Sequence, residues 1–244
     1  MNNRFLNIFA LLASISFIVA GCGDIEDLQT PNVNITSNSG TVSQKNLSLL
    51  AEDPQPLIFD PLTGAVDTSL TMTVKVGDKN NQLLTDAHTV YFATEWGLID
   101  ASCVTVDGTC TVTWQTSFGP GTVPADHLVT ITAYTLGEED FSDTNGNGVF
   151  DDDDLPFPAS ANLFTDREEP FVDADRDGVF NSGDTILDVI NGTLLGTNTA
   201  HDNGDGFLNS PSCRHSSLCS ATTPIIYIWD DIELDMDGPP PAVP

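Results

Sequence analysis

Three acidic loops, each centred on a glycine, recur at near-regular spacing in the second half of this chain. They are Asp143-Thr-Asn145-Gly-Asn147-Gly148-Val-Phe150, Asp173-Ala-Asp175-Arg-Asp177-Gly178-Val-Phe180 and His201-Asp-Asn203-Gly-Asp205-Gly206-Phe-Leu208. The central glycines lie 30 and then 28 residues apart. Side-chain oxygens at positions one, three and five converge on one concavity. Glycine at position six makes the sharp turn, and the carbonyl at position seven points back inward, which together is the donor set of a calcium loop. Such a segment is shaped around an ion instead of around buried apolar side chains, which limits the folds open to the chain.

Loop one offers Asp143, Asn145, Asn147, the Val149 carbonyl, and Asp151 or Asp154 as ligands. Loop two offers Asp173, Asp175, Asp177, the Val179 carbonyl, and Asn181 or Asp184. Loop three retains Asn203 and Asp205, but its first position is His201, a poor ligand for a hard cation, and its twelfth is Ser212. Phe150, Phe180 and Leu208 fill the apolar eighth position, expected to pack inward. The repeat is longer than the loop: Glu138-Glu-Asp-Phe-Ser-Asp143 aligns with Glu168-Glu-Pro-Phe-Val-Asp173, so the acids Glu138, Glu139, Glu168 and Glu169 are candidates to complete sites in neighbouring loops. The loops resemble those of EF-hands, but Pro156 and Pro158 stand where an exiting helix would start, and position twelve is Asp instead of Glu. The expectation is calcium loops without helices, holding structural ions outside the cell.

The amino terminus reads as an export signal. Arg4 precedes an apolar run, Phe5 to Val19, that ends in Val19-Ala20-Gly21-Cys22. The run is too short for a stable membrane span. The Ala-Gly-Cys ending resembles the lipobox of bacterial lipoproteins. That resemblance implies cleavage after residue 21, lipidation of Cys22 and, because Gly23 and not Asp follows, residence at the outer membrane. Loss of residues 1–21 removes one base and no acid, leaving six bases against 36 acids, a formal charge of −30. So acidic a chain repels nucleic acid and anionic lipid surfaces and attracts divalent cations. Its hydrophobic content of 40% is that of a folded protein, not of an acidic tail.

Four further cysteines, Cys103, Cys110, Cys213 and Cys219, form an even set in an exported chain. Three connectivities exist, and local spacing favours Cys103–Cys110 and Cys213–Cys219. The rival reading, a zinc site, lacks any Cys-x-x-Cys pair.

Between the amino terminus and the loops the chain alternates at period two. Leu70, Met72, Val74 and Val76 form one face of a strand; Val90 to Thr94, Val112 with Trp114, and Val129 with Ile131 and Ala133 form others; Thr223 to Trp229, extended through Ile232 and Leu234, reads as the last. The Asp107-Gly108 pair suggests a two-residue hairpin turn, but placing Cys103 opposite Cys110 in one ladder calls for a four-residue loop, Thr105 to Gly108, and the disulfide constraint favours the longer loop. Short strands with turns between them, and no long helical stripe, predict an all-β sandwich. In order, Val74-Lys-Val-Gly-Asp-Lys-Asn-Asn81, Thr89-Val-Tyr-Phe-Ala-Thr94, Thr111-Val-Thr-Trp114 and Val129-Thr-Ile-Thr-Ala133 resemble bacterial immunoglobulin-like domains of the invasin/intimin (Big) type. The whole layout is similar to uncharacterised proteobacterial lipoproteins. The resemblance implies an immunoglobulin-like β-sandwich in a cell-surface or periplasmic protein.

The expected organisation is a signal peptide over 1–21, a lipid-anchored flexible linker over 22–60, the sandwich over 61–236 and a disordered tail over 237–244. The calcium loops lie in an insertion, 137–221, between the last two strands. No catalytic motif is present: His88, His127, His201 and His215 stand beside no nucleophile or metal spacing, so the chain reads as a non-enzyme. Two function classes follow. One is a calcium-stabilised structural, adhesive or protein-binding module on the cell envelope, its partner a protein or glycan. The other is a calcium-dependent carbohydrate-binding module, in which Trp96 and Trp229 would offer stacking faces.

Overall fold

The computed structural model describes residues 40–60, 64–117, 123–156, 162–187, 189–190, 193–194, 204–221 and 224–238. The signal peptide, Cys22, His201 and Asn203 lie outside the described residues. Strands follow in the order β1 (Val42–Ser43), β2 (Leu47–Ala51), β3 (Phe59–Asp60), β4 (Gly64–Ala65), β5 (Ser69–Val76), β6 (Thr89–Thr94), β7 (Leu98–Ile99), β8 (Ser102–Val104), β9 (Thr109–Gln115), β10 (Leu128–Glu138), β11 (Phe171–Val172), β12 (Thr185–Ile186), β13 (Val189–Ile190), β14 (Thr193–Leu194) and β15 (Ile226–Asp235). Among the described residues the one helical element is a 3-10 turn, Gln44–Asn46.

Two sheets face each other. One runs β2-β5-β9-β7; in the other, β10 pairs β15 and β6, β8 pairs β6, and β1 adds in parallel to the end of β10. The orders β2-β5-β9 and β15-β10-β6 correspond to the A-B-E and G-F-C strands of an immunoglobulin sandwich. The period-two reading sets the core. Leu70, Met72, Val74, Val76, Val112 and Trp114 from one sheet meet Val90, Phe92, Val129, Ile131 and Ala133 from the other, all buried.

The expected insertion point holds: β10 and β15 pair antiparallel from Leu128↔Asp235 to Gly137↔Ile226, with the acidic loops between them in sequence. The insertion starts a little later than expected, because β10 continues through Glu138. β10 is buried on both faces. Val129, Ile131 and Ala133 enter the sandwich core, while Thr130, Thr132 and Tyr134 on the other face lie beneath the insertion.

Three boundary expectations need correction. The linker does not extend to residue 60: Leu47 and Leu49 are buried, and β2 completes the edge of its sheet against β5. This alternation is short, and Asn and Ser around it gave the stretch a linker-like composition. The tail does not begin at 237, since Asp237 bridges Leu57 and its carboxylate lies 2.7 Å from His127 Nδ1. The loop joining β8 to β9 is not four residues long. Val106 and Thr109 exchange backbone hydrogen bonds around Asp107-Gly108, both left-handed (φ 50° and 72°), a two-residue hairpin turn. Cys103 and Cys110 nonetheless form the expected disulfide, because β8 belongs to the β6 sheet and β9 to the β5 sheet. The bond joins the two sheets instead of crossing one ladder, so the register argument for a longer loop does not apply.

Candidate metal loops

Loops one and two share one hydrogen-bonding scheme. Asp143 Oδ2 accepts the Gly148 N–H at 2.7 Å, and Asp173 Oδ2 accepts the Gly178 N–H at 2.8 Å. The acid at position twelve braces both ends of the loop. Asp154 accepts the N–H of Thr144 at 2.8 Å and of Asp151 at 3.0 Å; Asp184 accepts those of Ala174 at 2.9 Å and Asn181 at 2.7 Å. Burial opposes ionisation of Asp154, but the N–H groups of Asp151, Thr144 and Asn145 outweigh it and hold the carboxyl below its ordinary value. A carboxylate has about four acceptor positions, so Asp184, which accepts two N–H groups, keeps lone pairs for a cation, whereas Asp154 also accepts the Thr144 hydroxyl at 3.3 Å and the Asn145 N–H at 3.4 Å and acts as a brace. At position five, Asn147 and Asp177 each accept the N–H of the following valine, Val149 or Val179, at 2.8 Å. Gly148, Gly178 and Gly206 have φ of 77°, 76° and 79°, the left-handed turn that position six requires.

Carboxylate oxygens of Asp173, Asp175 and Asp177 lie within 4.8 Å of one another. Two oxygens bound to one calcium at about 2.4 Å stand at most about 4.8 Å apart, so the three acids fit a single ion. In loop one the third and fifth positions are the amides Asn145 and Asn147, which donate to Asp151 at 3.2 and 2.8 Å. Asn181 likewise turns its amide donor toward Asp175, at 2.8 Å, so its side chain serves as a brace.

Loop three is discontinuous. Its Gly206 N–H is accepted by Asp166 Oδ2 at 2.9 Å, the bond that Asp143 and Asp173 make in their own loops. Arg167, which follows Asp166, donates its N–H to Glu139 Oε1 at 2.6 Å, and Asn209 donates to Glu139 Oε2 at 2.8 Å. Those are the two braces that Asp154 and Asp184 make. Asp205 accepts the Phe207 N–H at 2.8 Å, as Asn147 and Asp177 do for their valines. Asp166 thus takes position one, Glu139 takes position twelve, and Asp205 keeps position five. A Cβ on Gly204 would fall 2.4 Å from the Asp166 carboxyl carbon, so the incoming acid needs glycine there. Glu139 is 1% exposed, and burial pushes its carboxyl up to about 7 despite the two N–H bonds. The repeated Glu-Glu pairs pointed to Glu139. Nothing in local spacing pointed to Asp166; the missing first oxygen of loop three and its shortened 28-residue spacing were the available signal.

The loops are held by two clusters and by most of the chain's bases. Phe150 (0% exposed) and Leu208 (1%) fill a small core with Phe141 and Phe164, as position eight demands. Phe150 bridges Cys213 and Leu208 bridges Cys219, so the Cys213–Cys219 disulfide laces loop one to loop three. Phe180 packs partly buried on a second cluster, in which Phe171, Val172 and Leu187 cover Tyr134 and Trp229 on the outer face of the sandwich. Lys79 reaches from the β5–β6 turn to the Gly148 carbonyl at 2.5 Å and to the Ser212 hydroxyl. Lys45 pairs with Asp140 at 3.5 Å, and Arg167 stacks over Trp229, 4.5 Å from the ring centroid. Arg176 reaches Asp126 and Glu233, each at 3.1 Å, and Glu95 at 3.6 Å.

Two of the described histidines make contacts within the sandwich. His88 sits beside Thr105, whose hydroxyl accepts the His88 backbone N–H at 2.9 Å, and burial lowers the imidazole pKa. His127 stacks on Phe59. All three tryptophans are buried: Trp96 and Trp229 are 7% exposed and Trp114 is fully covered. Comparison with protein families, curated proteins and solved structures returns no match.

Proposed function

We propose that this chain is a calcium-stabilised, immunoglobulin-like module of the bacterial cell envelope, anchored through lipid at Cys22, with a structural, adhesive or protein-binding role. The carrying observation is that three loops reproduce one oxygen scheme, in loop three by recruiting Asp166 and Glu139 from elsewhere in the chain. The donors are carboxylates, amides and carbonyls without sulfur or imidazole, the set that suits a hard cation such as calcium. Asp143, Asp154, Asp173, Asp175, Asp177, Asp184, Asp166, Asp205 and Glu139 supply the charge. Without a cation, this acid density opposes compaction.

A calcium ion bound at each loop would offset most of that charge and make the insertion rigid, so that it presents a fixed surface beside the sandwich. The lipobox-like ending at Cys22 and the resemblance to invasin/intimin-type domains support a location at the outer membrane for such a surface. The carbohydrate-binding reading loses its platform, because Trp96, Trp114 and Trp229 are all enclosed by protein.

Calorimetric titration of the mature chain with calcium tests the proposal. The expected result is saturable binding at three sites together with a rise in melting temperature. Absence of binding at millimolar calcium would reject it. Metabolic labelling with a fatty-acid analogue, compared between wild type and Cys22→Ser, tests the anchor. An envelope pull-down and a glycan array, each run with and without calcium, separate the protein-binding from the sugar-binding role.

A further inference from the structure

The outer face of the β15-β10-β6 sheet is aromatic. Tyr91 and Tyr134 stack at 5.5 Å between centroids, Tyr227 meets Tyr134 at 6.0 Å, and Trp229 completes the row. An exposed patch of this kind would be sticky, and here residues 166–187 lie across it. Phe171 packs edge-on against Trp229 at 5.1 Å. The Trp229 indole N–H donates to the Glu168 carbonyl at 3.2 Å, the Thr132 hydroxyl to the Phe171 carbonyl at 2.9 Å and the Thr130 hydroxyl to the Asp173 carbonyl at 2.6 Å.

The covering segment has little structure of its own. Its ladder, β11 with β12, has two residue pairs, Phe171↔Ile186 and Val172↔Thr185, and loop two closes it. A ladder so short is not stable alone in water. Two things hold it shut. One is the closure of loop two. The other is Arg176 at position four of that loop, whose N–H is accepted by Asp173 and whose guanidinium meets Glu95, Asp126 and Glu233. Arg176 accepts a left-handed φ of 60° to reach them; loop one has Gly146 at the same position and no such clamp. Opposing closure, the carboxylate of Asp231 on β15 is repelled by Asp173 as well as by its neighbour Asp230.

We propose that residues 166–187 form a calcium-fastened strap: with the ion in loop two, Arg176 clamps the strap over Tyr91, Tyr134, Tyr227 and Trp229, and loss of the ion uncovers this aromatic face while the sandwich stays folded. The strap rests on the reading of loop two as a calcium site and adds to it a switchable surface.

Hydroxyl-radical footprinting of the mature chain, read by mass spectrometry in calcium and in chelator, tests it alongside hydrogen exchange. The expected result in chelator is several-fold greater oxidation of Tyr134 and Trp229 and fast exchange over 166–187, with β5 and β9 still protected. Arg176→Gln should need several-fold more calcium to restore the shielding. If loop two gains protection with calcium while Tyr134 and Trp229 are equally shielded in both states, the strap is overturned and the calcium site stands. If β5 and β9 lose protection together with the strap, there is no separate device, only global unfolding. An Arg176→Gln midpoint equal to wild type removes the clamp. If calcium changes nothing anywhere, both the strap and the calcium reading fail.

Discussion

The Glu139 carboxylate accepts the N–H of Asn209 at 2.8 Å across 70 residues of sequence, and through that bond the residue directly after β10 closes a loop to which it is not adjacent in the chain. Glutamine at this position keeps the shape but removes the charge, and its amide can accept only one of the two N–H groups. The other buried N–H then loses its partner, which costs about 1–3 kcal/mol. Glu139→Gln is expected to bind two calcium ions where wild type binds three, with an unchanged far-ultraviolet spectrum. Unaltered stoichiometry by calorimetry would remove Glu139 from the third site.

Protonation of the same carboxyl sets a pH dependence. Burial raises it to about 7 in the ion-free fold. The folded state therefore keeps a proton that the unfolded chain releases in the ordinary carboxylate range. The associated stability is complete at low pH and is lost as pH rises through about 7. Calcium requires the anion, so its affinity runs the opposite way. Ion-free protein should melt at progressively lower temperature from about pH 5 to about pH 8, while calcium binds more tightly over the same interval. A calcium affinity independent of pH across this window would contradict the assignment.

Chelation should act on the insertion before the sandwich. Calcium at 100 times its dissociation constant stabilises by about 2.7 kcal/mol per site. With chelator the melting temperature is expected to fall, and limited proteolysis should cut within residues 139–221 while the fragment carrying β2, β5, β6 and β9 resists. Equal cutting rates with and without chelator would count against structural calcium.

The Cys213–Cys219 disulfide closes a short loop, so its loss is expected to cost about 2 kcal/mol by chain entropy. Because its two ends bridge Phe150 and Leu208, the double variant Cys213→Ser/Cys219→Ser should also uncouple loop one from loop three. Calcium titration of this variant is expected to show weakened binding at those two sites and wild-type binding at loop two. Uniform weakening at all three would mean that the bond acts on the whole insertion.

Local patterns in the chain were sufficient for the parts whose physics is local. Alternation at period two placed Leu70, Met72, Val74, Val76, Trp114 and Val129 in the core, and the Asp-x-Asp-x-Asp-Gly spacing placed loop two, because strand pleat and loop curvature depend on neighbouring residues. The two disulfide pairings follow for the same reason. Tertiary structure decided what sequence distance conceals. It carried the Cys103–Cys110 bond between two sheets and drew Leu47 and Leu49 from a polar stretch into the sandwich. It also set Asp166 and Glu139 into a loop whose own chain lacks those oxygens. A ligand shell requires that oxygens converge in space, whatever their order along the backbone, so only the folded chain shows which acids meet.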